Sequence, residues 1–285
     1  MGLGTNAKHF ANKILERFNV HVDSLTYKRL ETARLSRLVA ANYFSKLAFP
    51  VLPQFEACDP TPILQEISRT ATRISEIAAG ENNNGFVLEN SYFSTPDAEV
   101  LYAVVQLYQP VQIIEIGSGH STRLFRCAIH DAGLQAHLAS IDPSPRCEVA
   151  DISDKVICAQ VENLVDFEIF ESLRRNDILF IDSSHEIRPG NDVLYLFFSV
   201  IPRLASGVLV HLHDIFLPYE YPKRWVVENG WNFGEQYLLQ ALLSGSNDYE
   251  VLWPGYYLQR HFPTFARHFS QLQGSLAKSL WMRKA

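Results

Sequence analysis

Two short stretches of this 285-residue chain place carboxylates and imidazoles at spacings that suit acid–base work or the holding of a cation. Asp182-Ser183-Ser184-His185 follows the apolar run from Asp177 to Ile181, and His211-Leu212-His213-Asp214 closes the run from Gly207 to Leu212. A hydroxyl is a poor nucleophile at neutral pH, so chemistry at one needs a general base or a divalent ion that lowers its pKa. His185 suits the base, because an imidazole changes charge near neutrality and this one stands at a strand end. His213 is the second candidate. If the two strands are neighbours, Asp182 and Asp214 face each other across a space of metal size. Hard oxygen ligands favour Mg²⁺, and an added imidazole shifts the preference toward Mn²⁺, Fe²⁺ or Zn²⁺. His211 shares a strand face with His213 and is expected as a buried, hydrogen-bonded histidine.

A third stretch, VQIIEIGSGHST from Val111 to Thr122, reads as a buried strand ending at Glu115 and running into the small polar turn Gly117-Ser118-Gly119-His120-Ser121. Leu124, Phe125, Ala128 and Ile129 then repeat at helical spacing. Strand, glycine turn and helix is the arrangement that admits a nucleotide-like ligand, because glycine lets backbone approach and the helix start offers unpaired N–H groups. An ordinary tight turn has the same appearance on this stretch alone.

The elements that must carry these groups alternate regularly. Gln135–Ile141, Lys155–Ala159, Asp177–Ile181 and Gly207–Leu212 read as further strands, separated by helices over Ser144–Ser153, Glu168–Arg175 and Asn191–Leu204. Such alternation implies right-handed crossovers and a doubly wound, mostly parallel α/β sheet. Ser94 or Thr95 is expected to cap a helix beginning at Pro96. After Asp214 the chain turns aromatic and proline-broken. A helix over Asn232–Leu243, a strand over Tyr249–Trp253, a helical segment in PTFARHFSQLQ and an antiparallel strand at Ser279–Met282 beside the fifth complete seven strands. Before all this, helices near Ile14–Phe18 and Leu30–Phe44 form an α-helical N-terminal extension. A proline-punctuated surface linker over 49–62, a helix over Ile63–Ala79 and an asparagine loop at 82–84 follow. We place the extension at 1–90 and the ligand-binding domain at 91–285.

Ligands of open α/β sheets sit at the carboxyl ends of the strands, and here those ends carry Glu115, Asp142, Glu162, Asp182 and His213-Asp214. An acid after the second strand, Asp142, suits two ribose hydroxyls. A nicotinamide dinucleotide would want a third glycine where Thr122 stands. Glu115 would repel a pyrophosphate and suit a cationic sulfonium and ammonium. In this order, EIGSGHST, SIDPSPR, FIDSSHE and VHLHDIF resemble the class I S-adenosylmethionine-dependent methyltransferases, nearest to the bacterial small-molecule O-methyltransferase-like families, over about Pro96 to Trp253. The resemblance implies a Rossmann-like methyltransferase fold and S-adenosyl-L-methionine as cofactor. It implies that Glu115, Gly117, Ser118, Gly119 and Ser121 hold the methionine end, that Asp142 holds the ribose, and that Val161 and Glu162 flank the adenine. It also places Asp182 at the cofactor's edge. In the metal-dependent members, acids after strands four and five bind the ion; His213-Asp214 departs from the usual Asp with Asn or Asp.

Composition narrows the partners. The net charge of -6 and pI near 5.9 argue against a phosphate-dominated nucleic-acid surface. Hydrophobic residues at 47% promise a sizeable core. Cys58, Cys127, Cys147 and Cys158 lack metal or disulfide spacing and read as reduced thiols. With no apolar run of membrane-spanning length and no signal-peptide pattern at the N-terminus, a cytoplasmic protein is expected. Tyr219, Tyr221, Trp225, Trp231 and Tyr237 are expected over the acceptor, with Tyr92 and Phe93 over the cofactor and Glu235-Gln236-Tyr237 as polar acceptor contacts. The leading reading is O-methylation of a small-molecule hydroxyl, sugar or phenol, by His185, Asp182, His213 and Asp214, with Asp182 and Asp214 as candidate ligands of Mg²⁺ or Mn²⁺. An NAD-linked oxidoreductase and a non-catalytic cofactor-binding partner subunit are the alternatives. A homodimer through the N-terminal helices is expected, and neither nucleic acid nor membrane is.

Overall fold

The computed structural model describes residues 5–19, 25–80, 85–145, 149–164, 167–269, 271–272 and 274–285. The apolar runs singled out above form the strands; the central ones, β1, β4 and β5, are buried on both faces, and β1 and β4 are rich in isoleucine. These are β1 (Gln112–Ile116), β2 (His137–Ile141), β3 (Lys155–Ile157), β4 (Ile178–Ile181), β5 (Leu209–Leu212), β6 (Tyr249–Pro254) and β7 (Leu280–Lys284). They make one seven-stranded sheet in the order β3-β2-β1-β4-β5-β7-β6. β7 pairs antiparallel with both β5 and β6, and the other neighbours pair parallel.

Helices cover both faces. In chain order they are α1 (Thr5–Leu15), α2 (Leu25–Ala40), α3 (Pro53–Glu56), α4 (Thr61–Ala78), α5 (Asp97–Tyr108), α6 (His120–Asp131), α7 (Val149–Ile152), α8 (Glu168–Glu171), α9 (Asp192–Tyr195), α10 (Glu235–Gly245) and α11 (Gly255–His261). Strand alternation sends Ile113 into a core with α4, α5 and α6, and Ile114 into a second core with α3, α9 and α10. That is the expected doubly wound arrangement. Among the described residues no helix is long and apolar enough to cross a membrane.

The register fixes the site. Ile141, Ile116, Ile181 and Leu212 are successive Cα partners across β2, β1, β4 and β5. The residues that follow them, Asp142, Gly117, Asp182 and His213, therefore emerge side by side on one rim. On the antiparallel side Leu212 pairs with Leu280, so Lys278 lies opposite Asp214, and Ile215 N–H donates to the Lys278 carbonyl at 2.9 Å.

Several local expectations need correction. The 49–62 segment is not a surface linker: Leu52 and Phe55 are buried in the second core, and Gln54 Nε2 donates to the Leu243 carbonyl at 2.8 Å. The Pro96 helix takes no side-chain cap from Ser94 or Thr95, because the Thr95 hydroxyl is spent on Glu99 Oε1 at 2.7 Å. The Glu168 helix stops after a single turn. The Asn191 helix keeps its cap but widens after Tyr195 and ends in a tight turn at Ile201–Arg203. Pro202, which has no N–H to donate, accounts for that end. The PTFARHFSQLQ segment yields only a short turn at Phe265–His268. Of the Ser144–Ser153 helix only Val149–Ile152 is seen; residues 146–148, including Cys147, and the asparagine loop at 82–84 lie outside the described residues. Phe10 of α1, Phe18 in the turn after it, and Tyr27 and Leu30 of α2 are exposed in the single chain.

Candidate active site

Two cavities open along the rim and share Gly117, Asp142, Asp182 and Ser183. The first, about 400 Å³, is lined by Ile141, Asp142, Pro143, Gln160, Val161 and Glu162 on one side and by Ser184, Arg188 and Asn191 on the other. The second, about 480 Å³, runs over the glycine turn to His185, His213, Asp214 and Lys278. Both volumes suit a small ligand.

The glycine turn is built from below. Glu115 is fully buried; Ser121 and Thr122 hydroxyls donate to its two carboxylate oxygens at 2.6 Å each, and Ser140 adds a third donor at 3.1 Å. Thr122, at the position of the missing glycine, also accepts from Gly119 N–H at 2.9 Å. Burial pushes the Glu115 carboxyl up to about 7 despite these donors. Glu115 lines neither cavity, so the structure assigns it to shaping the turn, where the sequence suggested a direct contact with the cofactor. Gly117, Ser118, Gly119 and Ser121 do line the second cavity. Gly117 has φ +84°, and a Cβ there would stand 2.1 Å from the Asp182 carbonyl. Only glycine lets β1 and β4 end this close together. Asp142 is half-buried, accepting from Ser118 Oγ at 2.7 Å and from Ser144 N–H at 2.8 Å. Its carboxylate is thereby oriented on the rim between the cavities. Val161 and Glu162 line the first cavity beside it.

At the other end Asp182, His185, His213 and Asp214 come together as expected. Asp182 Oδ1 lies 3.3 Å from both His185 Nε2 and His213 Nδ1. Asp214 reaches His185 Nε2 at 3.6 Å and His213 Nδ1 at 3.5 Å. His185 and Asp214 both hold left-handed backbone, at φ 59° and 57°, a conformation that clusters at functional sites. Behind His185, the start of α10 is tied to its carbonyl through Gly234 N–H at 2.7 Å. This brings Glu235 Oε2 to 2.9 Å from His185 Nδ1. His211 is buried, pairs with Ser279 Oγ at 2.9 Å and stacks on Phe180 at 3.9 Å. Burial holds its imidazole well below its ordinary pKa, and it stays neutral, off the cavity.

The electrostatics follow from this crowding. Burial alone would raise Asp182, but the two imidazoles hold it well below the usual carboxylate range. Burial likewise opposes charge on His185, yet the carboxylates of Asp182, Glu235 and Asp214 raise it well above its ordinary value. His213 is lowered by burial and by Lys278 but carried up to about 9 by Asp182 and Asp214. Glu235, buried, is pushed upward.

These contacts bear on the expected metal. Asp182 Oδ1 faces the imidazoles of His185 and His213, Asp214 Oδ2 faces His185, and Asp214 Oδ1 lies 3.0 Å from the Lys278 ammonium. Among the described residues no group of three or more His, Cys, Asp or Glu side chains is arranged to hold a metal ion. Asp182 and Asp214 are therefore paired with protein cations at the oxygens named.

Four residues of the site carried no signal in the sequence. Lys278 arrives from the far end of the chain. Asp97, buried at the start of α5, accepts from the backbone N–H groups of Lys278 and Ser279 at 3.0–3.1 Å and lies 3.5 Å from His213 Nε2. An acid in the first turn of a helix reads as an ordinary dipole partner. Ser183 Oγ is buried with no hydrogen-bond partner among the described residues and lies where the two cavities meet. Phe233 packs on His185 at 5.0 Å. Of the expected aromatic residues, Trp225, Trp231, Tyr92 and Phe93 line the second cavity. Tyr219 and Tyr221 are core residues instead. Gln236 is spent on Phe216 N–H and Tyr237 on Glu220, so neither they nor Glu235 lines the cavities.

Residues 114–215, which span β1 to the end of β5, match the family model described as a methyltransferase domain. This segment, a little over a third of the chain, carries the glycine turn, Asp142, Asp182, His185 and His213-Asp214, and is similar to a methyltransferase domain. Among solved structures it is similar to the SAH-bound Podospora anserina methyltransferase PaMTH1, at 15% identity and TM-score 0.42 over 88% of this chain and 96% of that one. It is also similar to the plantazolicin methyltransferase BpumL in complex with SAH, at 13% identity and TM-score 0.39 over 90% and 99%. No curated protein sequence matches the chain.

Proposed function

We propose that this enzyme methylates a hydroxyl of a small molecule, with His185 as general base. S-adenosylmethionine supplies an electrophilic methyl group on a sulfonium; as the oxygen–carbon bond forms, the carbon–sulfur bond breaks and its electron pair returns to sulfur. The residues of the rim fit such a cofactor. Asp142 offers oriented carboxylate oxygens for a ribose, Val161 and Glu162 border the space for a base, and Gly117 to Ser121 line the path toward the acceptor end. The partnerless Ser183 hydroxyl has a use there.

The observation that carries the reading is the Glu235–His185 pair at 2.9 Å, with the opposite ring nitrogen turned toward Asp182 and Asp214 at the cavity wall. A carboxylate on one imidazole nitrogen fixes the other as the nitrogen that exchanges a proton. His185 takes the acceptor's proton, and the alignment of acceptor and methyl group supplies the larger part of the rate. No step requires a metal ion.

The test is S-adenosylhomocysteine formation over a panel of phenols and sugars, with wild type and His185→Ala compared. Loss of about 10²-fold or more in turnover, with cofactor binding intact, is expected from removal of a general base. Equal turnover on an accepted substrate would remove His185 from the role. Tight cofactor binding without turnover on any acceptor would favour the partner-subunit reading.

A further inference from the structure

Resting on the methyltransferase reading above, we propose that Lys278 is the fixed cation of the acceptor site and that the acceptor is a phenol, held there as its oxyanion. Its position is built by the sheet. The antiparallel register of β5 and β7 sets Lys278 opposite Asp214. Its carbonyl is tied to Ile215 N–H at 2.9 Å, and its own N–H is tied to the buried Asp97 carboxylate. The ammonium lies 3.0 Å from Asp214 Oδ1, its side chain is 20% exposed, and it lines the cavity that His185 and His213 share. An ammonium on a pinned backbone is a permanent positive charge at the place where the sequence suggested a divalent ion.

The wall between Lys278 and His185 is aromatic. Lys278 Nζ stands 5.8 Å from the Trp225 ring; Trp225 meets Trp231 at 5.1 Å, Trp231 stacks on Phe233 at 5.3 Å and 24°, and Phe233 packs on His185 at 5.0 Å. A flat ring with one hydroxyl fits such a slot, its faces against the rings and its oxygen between imidazole and ammonium. A phenol gives up its proton far more readily than an alkyl alcohol, and a nearby ammonium favours the ionised form. The phenol's proton passes to His185 Nε2 where that imidazole is neutral and to solvent where it already carries a proton, and the oxygen keeps the electron pair beside Lys278. That pair then forms the bond to the methyl carbon as the carbon–sulfur bond breaks.

The probe is 4-nitrophenol, whose anion alone absorbs strongly in the visible, titrated into protein saturated with S-adenosylhomocysteine. In wild type treated with EDTA the bound probe should be ionised at a pH where the free probe is mostly neutral, and Mg²⁺ should change nothing. Lys278→Met should weaken binding of the anion by about ten- to hundredfold, the usual weight of a charge-assisted hydrogen bond. Lys278→Arg should retain most of it. Calorimetry with S-adenosylhomocysteine on each variant reports folding and the cofactor half separately. If wild type fails to bind S-adenosylhomocysteine, the methyltransferase reading is at fault. If that binding is intact but the probe is not taken up, is bound neutral, needs Mg²⁺, or is bound equally by Lys278→Met, the proposal is overturned. Should Lys278→Met lose S-adenosylhomocysteine binding, Lys278→Arg decides: retention of the ionised probe supports the proposal and its loss overturns it.

Discussion

The proton economy of the site is set by Asp182 and by Glu235, which is fully buried and spends one oxygen on His185 Nδ1. A general base works only in its unprotonated form, and the surrounding carboxylates hold the His185 pKa well above 6.5 in the ligand-free protein. The base form therefore accumulates as pH rises through that raised value, and kcat/KM should climb on the alkaline side of neutrality. Glu235→Gln removes one of the charges responsible, so the rising limb should move to lower pH; an unmoved limb would detach Glu235 from the mechanism. Glu115 gives a stability prediction of the opposite sense. Its carboxyl is carried from 4.5 up to about 7 by burial, so between those values the folded state holds more protons than the unfolded one. Stability then falls as pH rises through that window. Glu115→Gln should flatten this part of the urea-midpoint profile, on the order of a few kcal/mol across the window. An unchanged slope would show that the carboxyl titrates normally.

Among the elements, β7 does most to assemble the acceptor half, because its entry carries Lys278 to Asp214. Asp97 holds that entry by accepting from two backbone N–H groups. Asp97→Ala leaves both donors without their partner and should cost about 2–6 kcal/mol in urea unfolding, from about 1–3 kcal/mol per buried unsatisfied group. A change under about 0.5 kcal/mol, the scale of an ordinary surface substitution, would contradict the clamp. The strands were legible because Ile113, Ile114, Leu179 and Val210 belong to short β-branched runs buried on both faces. The segments between them were less so. Leu52 and Phe55 look like linker residues until α3 is docked beside β6, and the Asn191 helix reads as continuous until Pro202 ends it. Local pattern names an element, but the docking of a proline-rich segment depends on distant partners.

In the whole molecule the site divides along the rim into halves of different legibility. The cofactor half lies within Glu115 to Glu162, close in sequence, and its turn and its Asp142 could be read directly. Glu115 was found but misplaced, since nothing local says that Ser121, Thr122 and Ser140 close over it. The acceptor half joins α5, β4, β5, α10 and the entry to β7, so Asp97, Glu235 and Lys278 become neighbours only once the sheet has closed. The metal expectation left out one neighbour for the same reason: the ammonium beside Asp214 is supplied by residue 278.

The central claim, a cofactor half built for S-adenosylmethionine, is tested most directly by calorimetric titration with S-adenosylhomocysteine and with NAD, on wild type and on Asp142→Ala. Wild type should bind S-adenosylhomocysteine at a single site and not NAD, and Asp142→Ala should bind it at least about tenfold more weakly through loss of charge-assisted hydrogen bonds to the ribose. Absence of S-adenosylhomocysteine binding by the wild-type protein, or binding of NAD in its place, would contradict the account.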